Sequence, residues 1–454
     1  YCRFIIKLKY MSFYNVMTEK VVLPFSDFAT NQSVSEKLKF LLKSKYWSRD
    51  QINDFQNKRL TSLVKYAYES VPFYRNMFRQ LGLEPSDIQS KESLNKIPVI
   101  NKSIVKQNKE IFVSSNISKK DIINKSSSGS TGEPLFYNTT REAYSINIAA
   151  NLRGWYEMGY RLGDRFVKLS QNGRISKFKR LQDSVTRNLY IKADPLDDEN
   201  FKRILTKIEE YKPKVIRCYP DPLLFLARYK QKYPEFTHCP SFINTTGNTL
   251  HPETRKEIEE SFRCKVFDSY SSEGNSCVFE CKTQNCYHSA EEYGITEVVD
   301  DKGSVITKGI GRLISTDLWN LAHPFIRYDT QDYVEVDNST CSCGMKHLKI
   351  NRILGRDNEV LKLPNERKFI VHNFTIFFSL DSKELKRSID QFQVIKKKDE
   401  TVLFRLKVNN NYNYEIEEYI KASWKDKLQT NVDVEVVECI PLTSSGKRRF
   451  ILNE

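Results

Sequence analysis

No stretch of this chain reaches the roughly 18 consecutive apolar residues that a membrane-spanning helix requires, so no spanning helix is expected. The phosphate-binding signature GxxxxGK[ST] is missing, which removes the Walker loop as a route to nucleotide binding. Histidine is scarce, at 6 residues, and no Ser-His-Asp arrangement can be defended among them. Nor is there a long basic run. The 72 Lys+Arg against 57 Asp+Glu give +15, a balance that would suit nucleic acid, an anionic membrane or a polyanionic substrate. Acidic residues are interleaved almost everywhere, however, and the densest basic cluster is Lys396-Lys-Lys, so charge alone selects no partner. The opening YCRFIIKLKY is basic, its apolar part is too short for a signal core and no small-residue cleavage site follows, so a cytoplasmic location is expected. No internal repeat is visible.

What is present describes an ordinary globular protein. Hydrophobic residues make up 39%, aromatics 12% and charged residues 28%, enough to fill a core and too apolar for disorder. At 454 residues the chain exceeds one usual core, so at least two domains are expected. Leu60, Leu63, Val64 and Ala67 recur at three- and four-residue steps, the stripe of an amphipathic helix facing a core. From about residue 120 to 355, short β-rich runs such as Lys214-Val-Ile-Arg-Cys and Pro240-Ser-Phe-Ile-Asn alternate with helical stretches such as 253–262. That alternation predicts an α/β sheet between helices. After Gly355-Arg356-Asp357-Asn358 the texture changes: strand runs at 391–395, 401–408 and 432–437 surround a polar helix near Tyr414 to Leu428, which suffices for a small α+β domain.

Two stretches carry chemistry. Lys125-Ser-Ser-Ser-Gly129-Ser130-Thr131-Gly132-Glu133-Pro134 interleaves small hydroxyl residues with glycine, so backbone N–H groups and hydroxyls can converge on an anion without obstruction. The plain alternative is a flexible linker. Near the carboxyl end, Pro441-Leu-Thr-Ser-Ser-Gly446-Lys447-Arg-Arg sets a lysine on a Ser/Gly turn; a compact ammonium on a flexible stem can meet a carboxylate and a phosphate together. Such a tail is equally at home as a solvated loop.

Cysteine adds an independent signal. Of ten, Cys277, Cys281, Cys286, Cys341 and Cys343 fall in one region that also holds His288. Cys281, His288, Cys341 and Cys343 would supply a four-ligand tetrahedral site, the pattern of structural zinc, with Gly344 permitting the turn; Cys286 could replace Cys281. Disulfides or reduced buried thiols are the rivals. His323, His347 and His372 read as hydrogen-bonded structural residues, His372 in Phe369-Ile-Val-His-Asn-Phe374 lying just beyond the change of texture.

The Ser/Gly loop, Asp268-Ser-Tyr270-Ser-Ser272-Glu273-Gly274, Pro324-Phe-Ile-Arg327-Tyr-Asp-Thr-Gln-Asp332, Gly355-Arg356-Asp357-Asn358 and Gly446-Lys447 occur in the order found in adenylate-forming enzymes. The chain most resembles phenylacetate-CoA ligase and its relatives, including coenzyme-adenylating synthetases and the capsular polysaccharide branch; Val71-Pro-Phe-Tyr74-Arg75 and Ile97-Pro-Val-Ile-Asn-Lys102 extend the likeness to the N-terminal region. The resemblance implies a large α/β domain with mixed sheets plus a small C-terminal α+β domain. It divides the chain into a helical region at 1–100, an ATP- and substrate-binding domain at 101–354 and a mobile lid at 355–454.

It also implies roles. Ser128, Gly129, Ser130, Thr131 and Gly132 match the phosphate loop, Tyr270 the aromatic residue that stacks on adenine, Ser272 the hydroxyl near the α-phosphate, and Glu273 the magnesium-binding carboxylate. Asp332 matches the acid that holds the ribose, Arg356 and Asn358 the hinge, and Lys447 the catalytic lysine. For Tyr270 the alternative is a core aromatic; for Asp332, a loop acid paired with Arg327; for Arg356, a structural ion pair. Two departures stand out: Tyr270-Ser-Ser-Glu273 is one residue shorter than the family's Tyr-Gly-x-Ser/Thr-Glu, and Glu133 follows the loop where relatives often place lysine.

The implied reaction is activation of a carboxylate by ATP through an acyl-adenylate, then acyl transfer, in a surface or capsular polysaccharide setting. The expected cofactors are ATP, Mg²⁺ and structural Zn²⁺, with coenzyme A as one candidate acceptor and an amine as the other. The expected partners are the small carboxylate and ATP, with no nucleic acid and no membrane span; the chain could pair as a homodimer. Rival readings are an aryl- or acyl-CoA ligase, a zinc-stabilised basic protein that binds nucleic acid, and an inactive scaffold of the same fold.

Overall fold

The computed structural model describes residues 12–126, 135–170, 177–193, 196–272, 276–356, 360–363, 368–370, 373–374, 377–378, 383–441 and 449–454. Helices dominate the first hundred of these. Among them are α1 (Val34–Ser44) and α2 (Arg49–Ser70). Ser48 caps α2 through a reciprocal bond with Gln51, and Asp50 sits in the first turn, where a negative charge meets the helix dipole. The stripe of Leu60, Leu63, Val64 and Ala67 is buried to within 1%, each large side chain contributing about 1.5–3 kcal/mol.

After the hairpin of β1 (Ile122–Ser126) and β2 (Phe136–Thr140), helix α3 (Arg141–Met158) starts on the Thr140 cap. Five parallel strands follow: β3 (Phe166–Ser170), β4 (Asn188–Lys192), β5 (Val215–Cys218), β6 (Phe242–Thr246) and β7 (Lys265–Ser272). Helices α4 (Asp198–Tyr211), α5 (Pro220–Lys232) and α6 (Pro252–Phe262) make crossovers between them. The antiparallel remainder comprises β8 (Ser276–Glu280), β9 (Tyr287–Ser289), β10 (Gly294–Val299), β11 (Gly309–Asp317), β12 (Tyr328–Val336) and β13 (Lys349–Arg356).

All eleven join one mixed sheet in the order β10-β11-β12-β13-β9-β8-β7-β6-β5-β3-β4. Alternation along the parallel strands divides the core. Phe166, Val215, Phe242 and Phe267 pack with α1, α2 and α3, whereas Val167, Ile216, Ile243 and Val266 face α4, α5 and α6, as a period of two requires. The N-terminal helices therefore share a core with the sheet.

Beyond β13 a short hairpin pairs β14 (Val360–Lys362) with β15 (Lys368–Ile370). A four-stranded sheet follows, of β16 (Ile389–Lys396), β17 (Val402–Val408), β18 (Val432–Val436) and β19 (Ile451–Asn453), ordered β18-β17-β16-β19. Helix α7 (Tyr414–Leu428) packs Ile416, Ile420 and Trp424 against Phe374, Phe392 and Phe404 in a separate core. The expected α/β domain and small α+β domain are both present, the former as one continuous sheet. The rings of His251 and Phe450 meet at 5.4 Å between the two.

Candidate functional site

The carboxyl end of β7 is one focus. Asp268, Tyr270 and Ser272 alternate onto one face of that strand. Asp268 is buried and accepts from Thr245 Oγ1 at 2.7 Å and from the Tyr287 hydroxyl at 3.1 Å. Burial pushes its carboxyl up to about 7 despite the Thr245 bond. Two residues on, the Tyr270 hydroxyl donates to Asp332 Oδ2 at 2.7 Å, while its ring packs on the cluster of Val278, Val334 and Ile350.

Asp332 reaches that position through a bent strand. Gln331 has φ 64°, a left-handed conformation uncommon outside glycine, and the Asp332 amide donates to Thr330 Oγ1 at 3.2 Å. The expected alternative partner, Arg327, is engaged elsewhere: its guanidinium meets Glu297 at 3.1 Å and Ile97 O at 2.7 Å. Two motifs from distant parts of the chain thus converge, and the backbone of Arg356 lies opposite Asp332 in the β12–β13 ladder. Ser272 ends β7, half-buried, opposite the backbone of Ser276. Ser128, Gly129, Ser130, Thr131, Gly132, Glu273, Asn358, His372 and Lys447 lie outside the described residues.

The second focus is the cysteine cluster. Cys281, His288, Cys341 and Cys343 bring one donor atom each within 4.8 Å of one another. The turn between β8 and β9 closes through Cys281 N to Cys286 O at 2.8 Å, with Gln284 at φ 57°. The second turn closes through Gly344 N to Cys341 O at 3.2 Å, with Gly344 at φ 89°. Amides of Cys343 and Met345 point at the sulfurs of Cys341 and Cys343, each at 3.5 Å, which favours thiolate.

The separations fit an ion. Tetrahedral bonds of about 2.3 Å place neighbouring sulfurs about 3.8 Å apart, and Cys281 and Cys341 Sγ stand at 3.6 Å, Cys343 Sγ and His288 Nε2 at 3.2 Å. The same spacing excludes a Cys281–Cys341 disulfide, whose sulfurs would lie about 2.05 Å apart. Cys286 remains close, 3.5 Å from Cys341 Sγ and 3.9 Å from His288 Nε2. Contact with the Cys286 thiol holds Cys281 below the usual thiol range.

Three features were not drawn from the sequence. Glu292, fully buried, meets Arg153 at 2.6 Å, His347 at 3.0 Å and Ser44 Oγ at 2.5 Å. His323 has no hydrogen-bond partner on either ring nitrogen among the described residues. Its ring packs at a tilt against Phe112 and Phe325, at 4.8 and 5.2 Å, and burial lowers it to about 4, a neutral ring where a hydrogen-bonded one was expected. Finally, Lys168 and Arg217 stand side by side on β3 and β5; the available signal was a lone cation inside each of two apolar strand runs.

The comparisons agree with this architecture. Residues 364–454 match a family model described as CapK C-terminal domain. The chain is 26% identical to Protein CapK of Staphylococcus aureus, over 93% of this chain and 96% of that one. It is also 26% identical to a phenylacetate-coenzyme A ligase of Thermus thermophilus, over 69% and 72% of the two chains. Among solved structures, 2-hydroxyisobutyryl-CoA ligase in the postadenylation state superposes with a TM-score of 0.73 at 17% identity, covering 91% of each chain. Sequence likeness along nearly the whole length, together with the shared architecture, identifies this chain as a relative of the CapK and phenylacetate-coenzyme A ligase proteins within the adenylate-forming fold.

Proposed function

We propose that the protein activates a carboxylate with ATP to an acyl-adenylate and then transfers the acyl group. The observation that carries this reading is the bond between Tyr270 and Asp332 at 2.7 Å. It unites two motifs at the carboxyl end of β7, where ligands of open α/β sheets bind. Asp332 can accept both ribose hydroxyls once the Tyr270 hydroxyl turns away, freeing the ring edge beside the adenine. Carboxylate attack on the α-phosphorus brings two anions together, so the barrier is mainly electrostatic. Glu273 would hold Mg²⁺, which supplies charge neutralisation at the phosphates, and Lys447 would bridge carboxylate and phosphate. The loop of Ser128 to Gly132 would grip the phosphates through backbone amides.

Rotation about residues 355–358 would then exchange the face that the small domain presents. The likeness to Protein CapK supports a setting in capsular polysaccharide synthesis, and the phenylacetate-coenzyme A ligase match supports coenzyme A as the acceptor, an amine being the other candidate. Zinc on Cys281, His288, Cys341 and Cys343 would serve structure.

ATP–pyrophosphate exchange across a panel of carboxylates tests the reading. Exchange with at least one acid is expected, and Lys447→Ala should lower it by roughly 10²-fold or more while ATP still binds. Undiminished adenylate formation in that variant would remove Lys447 from the mechanism.

A further inference from the structure

One lateral row crosses the parallel half of the sheet. Tyr190, Lys168, Arg217 and Asn244 are successive register partners on β4, β3, β5 and β6. Each lies two residues beyond a strand residue of the α3-facing core, or in the same lateral row as one that does, so the row faces α3. Two cations therefore occupy neighbouring strands about 4.8 Å apart, an arrangement that repels.

Both cations lie against aromatic rings. Lys168 Nζ lies 5.2 Å from the Tyr190 ring and Arg217 Cζ 5.1 Å from the Trp155 ring. Arg217 Nε is shut off from solvent with no hydrogen-bond partner, and no carboxylate pairs with this guanidinium among the described residues. Burial disfavours its charged form. Meanwhile Trp155 Nε1 donates to Asn244 Oδ1 at 3.2 Å, and Asn244 Nδ2 donates to Ser269 Oγ at 3.3 Å and Phe267 O at 3.1 Å. That chain fixes one wall of the row and ties it to β7, on the residue preceding Tyr270.

A half-buried guanidinium without an anion, beside a second cation and two strands from Tyr270, is a vacancy in charge. We propose that Arg217, supported by Lys168, receives a second carboxylate on the acyl substrate, so that the acid activated is a dicarboxylate. This rests on the acyl-adenylate reading above and narrows its substrate class. Arg217 donates to the distal carboxylate as a fork, holding the other carboxylate toward the nucleotide.

The test compares monoacids with diacids of equal length, from propanoate and malonate to octanoate and suberate, with benzoate and phthalate, in ATP–pyrophosphate exchange. The wild type is expected to favour a diacid in kcat/KM. Arg217→Leu should lower the diacid-to-monoacid ratio by about 10- to 100-fold, chiefly through KM, and Arg217→Lys should restore part of it. A wild type that favours monoacids, or a ratio unmoved in Arg217→Leu, overturns the proposal. If no acid supports exchange, the acyl-adenylate reading falls by itself, and melting temperatures decide the rest. Diacids that stabilise the wild type but not Arg217→Leu uphold the anion site, and diacids that stabilise neither overturn it.

Discussion

Asp268 keeps its proton to about pH 7 because burial outweighs the hydroxyls that donate to it. Asp317, also fully buried, is raised to about 7 although the amides of Trp319 and Asn320 donate to it. In both cases the folded state binds a proton that the unfolded chain gives up near pH 3.9. Stability from these groups is therefore full at low pH and falls as pH rises through about 7. Asp268→Asn removes one such cost, so its melting temperature relative to wild type should be more favourable at about pH 8 than at about pH 5. A difference independent of pH would mean that Asp268 is ionised in the fold. Glu292 behaves oppositely: burial pushes it up, but Arg153 and His347 outweigh that and hold it below the usual range. Its contribution is present above about pH 4.3 and lost as pH falls below. Glu292→Gln leaves Arg153 buried without a counter-charge and should cost about 3–5 kcal/mol in denaturant unfolding.

The two cysteine turns illustrate what local spacing can and cannot reveal. Cys341-Ser-Cys343-Gly344 and Cys281 with His288 named the four donors that the fold gathers, because each pair sits on one turn or strand edge. The choice between Cys281 and Cys286 as ligand is a tertiary matter and stayed open, Cys286 Sγ standing 3.5 Å from Cys341 Sγ. If zinc fills the cluster, purified protein should hold about one ion per chain by elemental analysis. Cys343→Ser should lower both that content and the melting temperature by several degrees, while Cys286→Ser should leave the content intact. Retained zinc in Cys343→Ser with loss in Cys286→Ser would reassign the ligands. The same distinction governs the rest of the fold. Helix α2, helix α7 and the strand runs of the small domain were legible because period and composition act over a few residues. The pairing of Arg327 with Glu297, the core built on Glu292 and the row through Arg217 depend on sheet order and register, which couple residues far apart in sequence. Of the candidate nucleotide site, the link from Tyr270 to Asp332 followed from family likeness; the hydrogen bond that makes it did not.

Taken as a whole, the molecule places three of its sequence-recognised anchors on one continuous sheet. Strand β7 carries Tyr270, β12 carries Asp332 and β13 ends the large sheet at Arg356. The proposed nucleotide grip and the domain connection are hence neighbours: Arg356 is the ladder partner of Asp332, and β13 is the last strand of the large sheet before the small domain. A swing of that domain would pull on the very rung whose other end carries Asp332, the carboxylate proposed to hold the sugar. Torque and occupancy would then be geared together, each position of the lid setting how firmly the nucleotide is clasped.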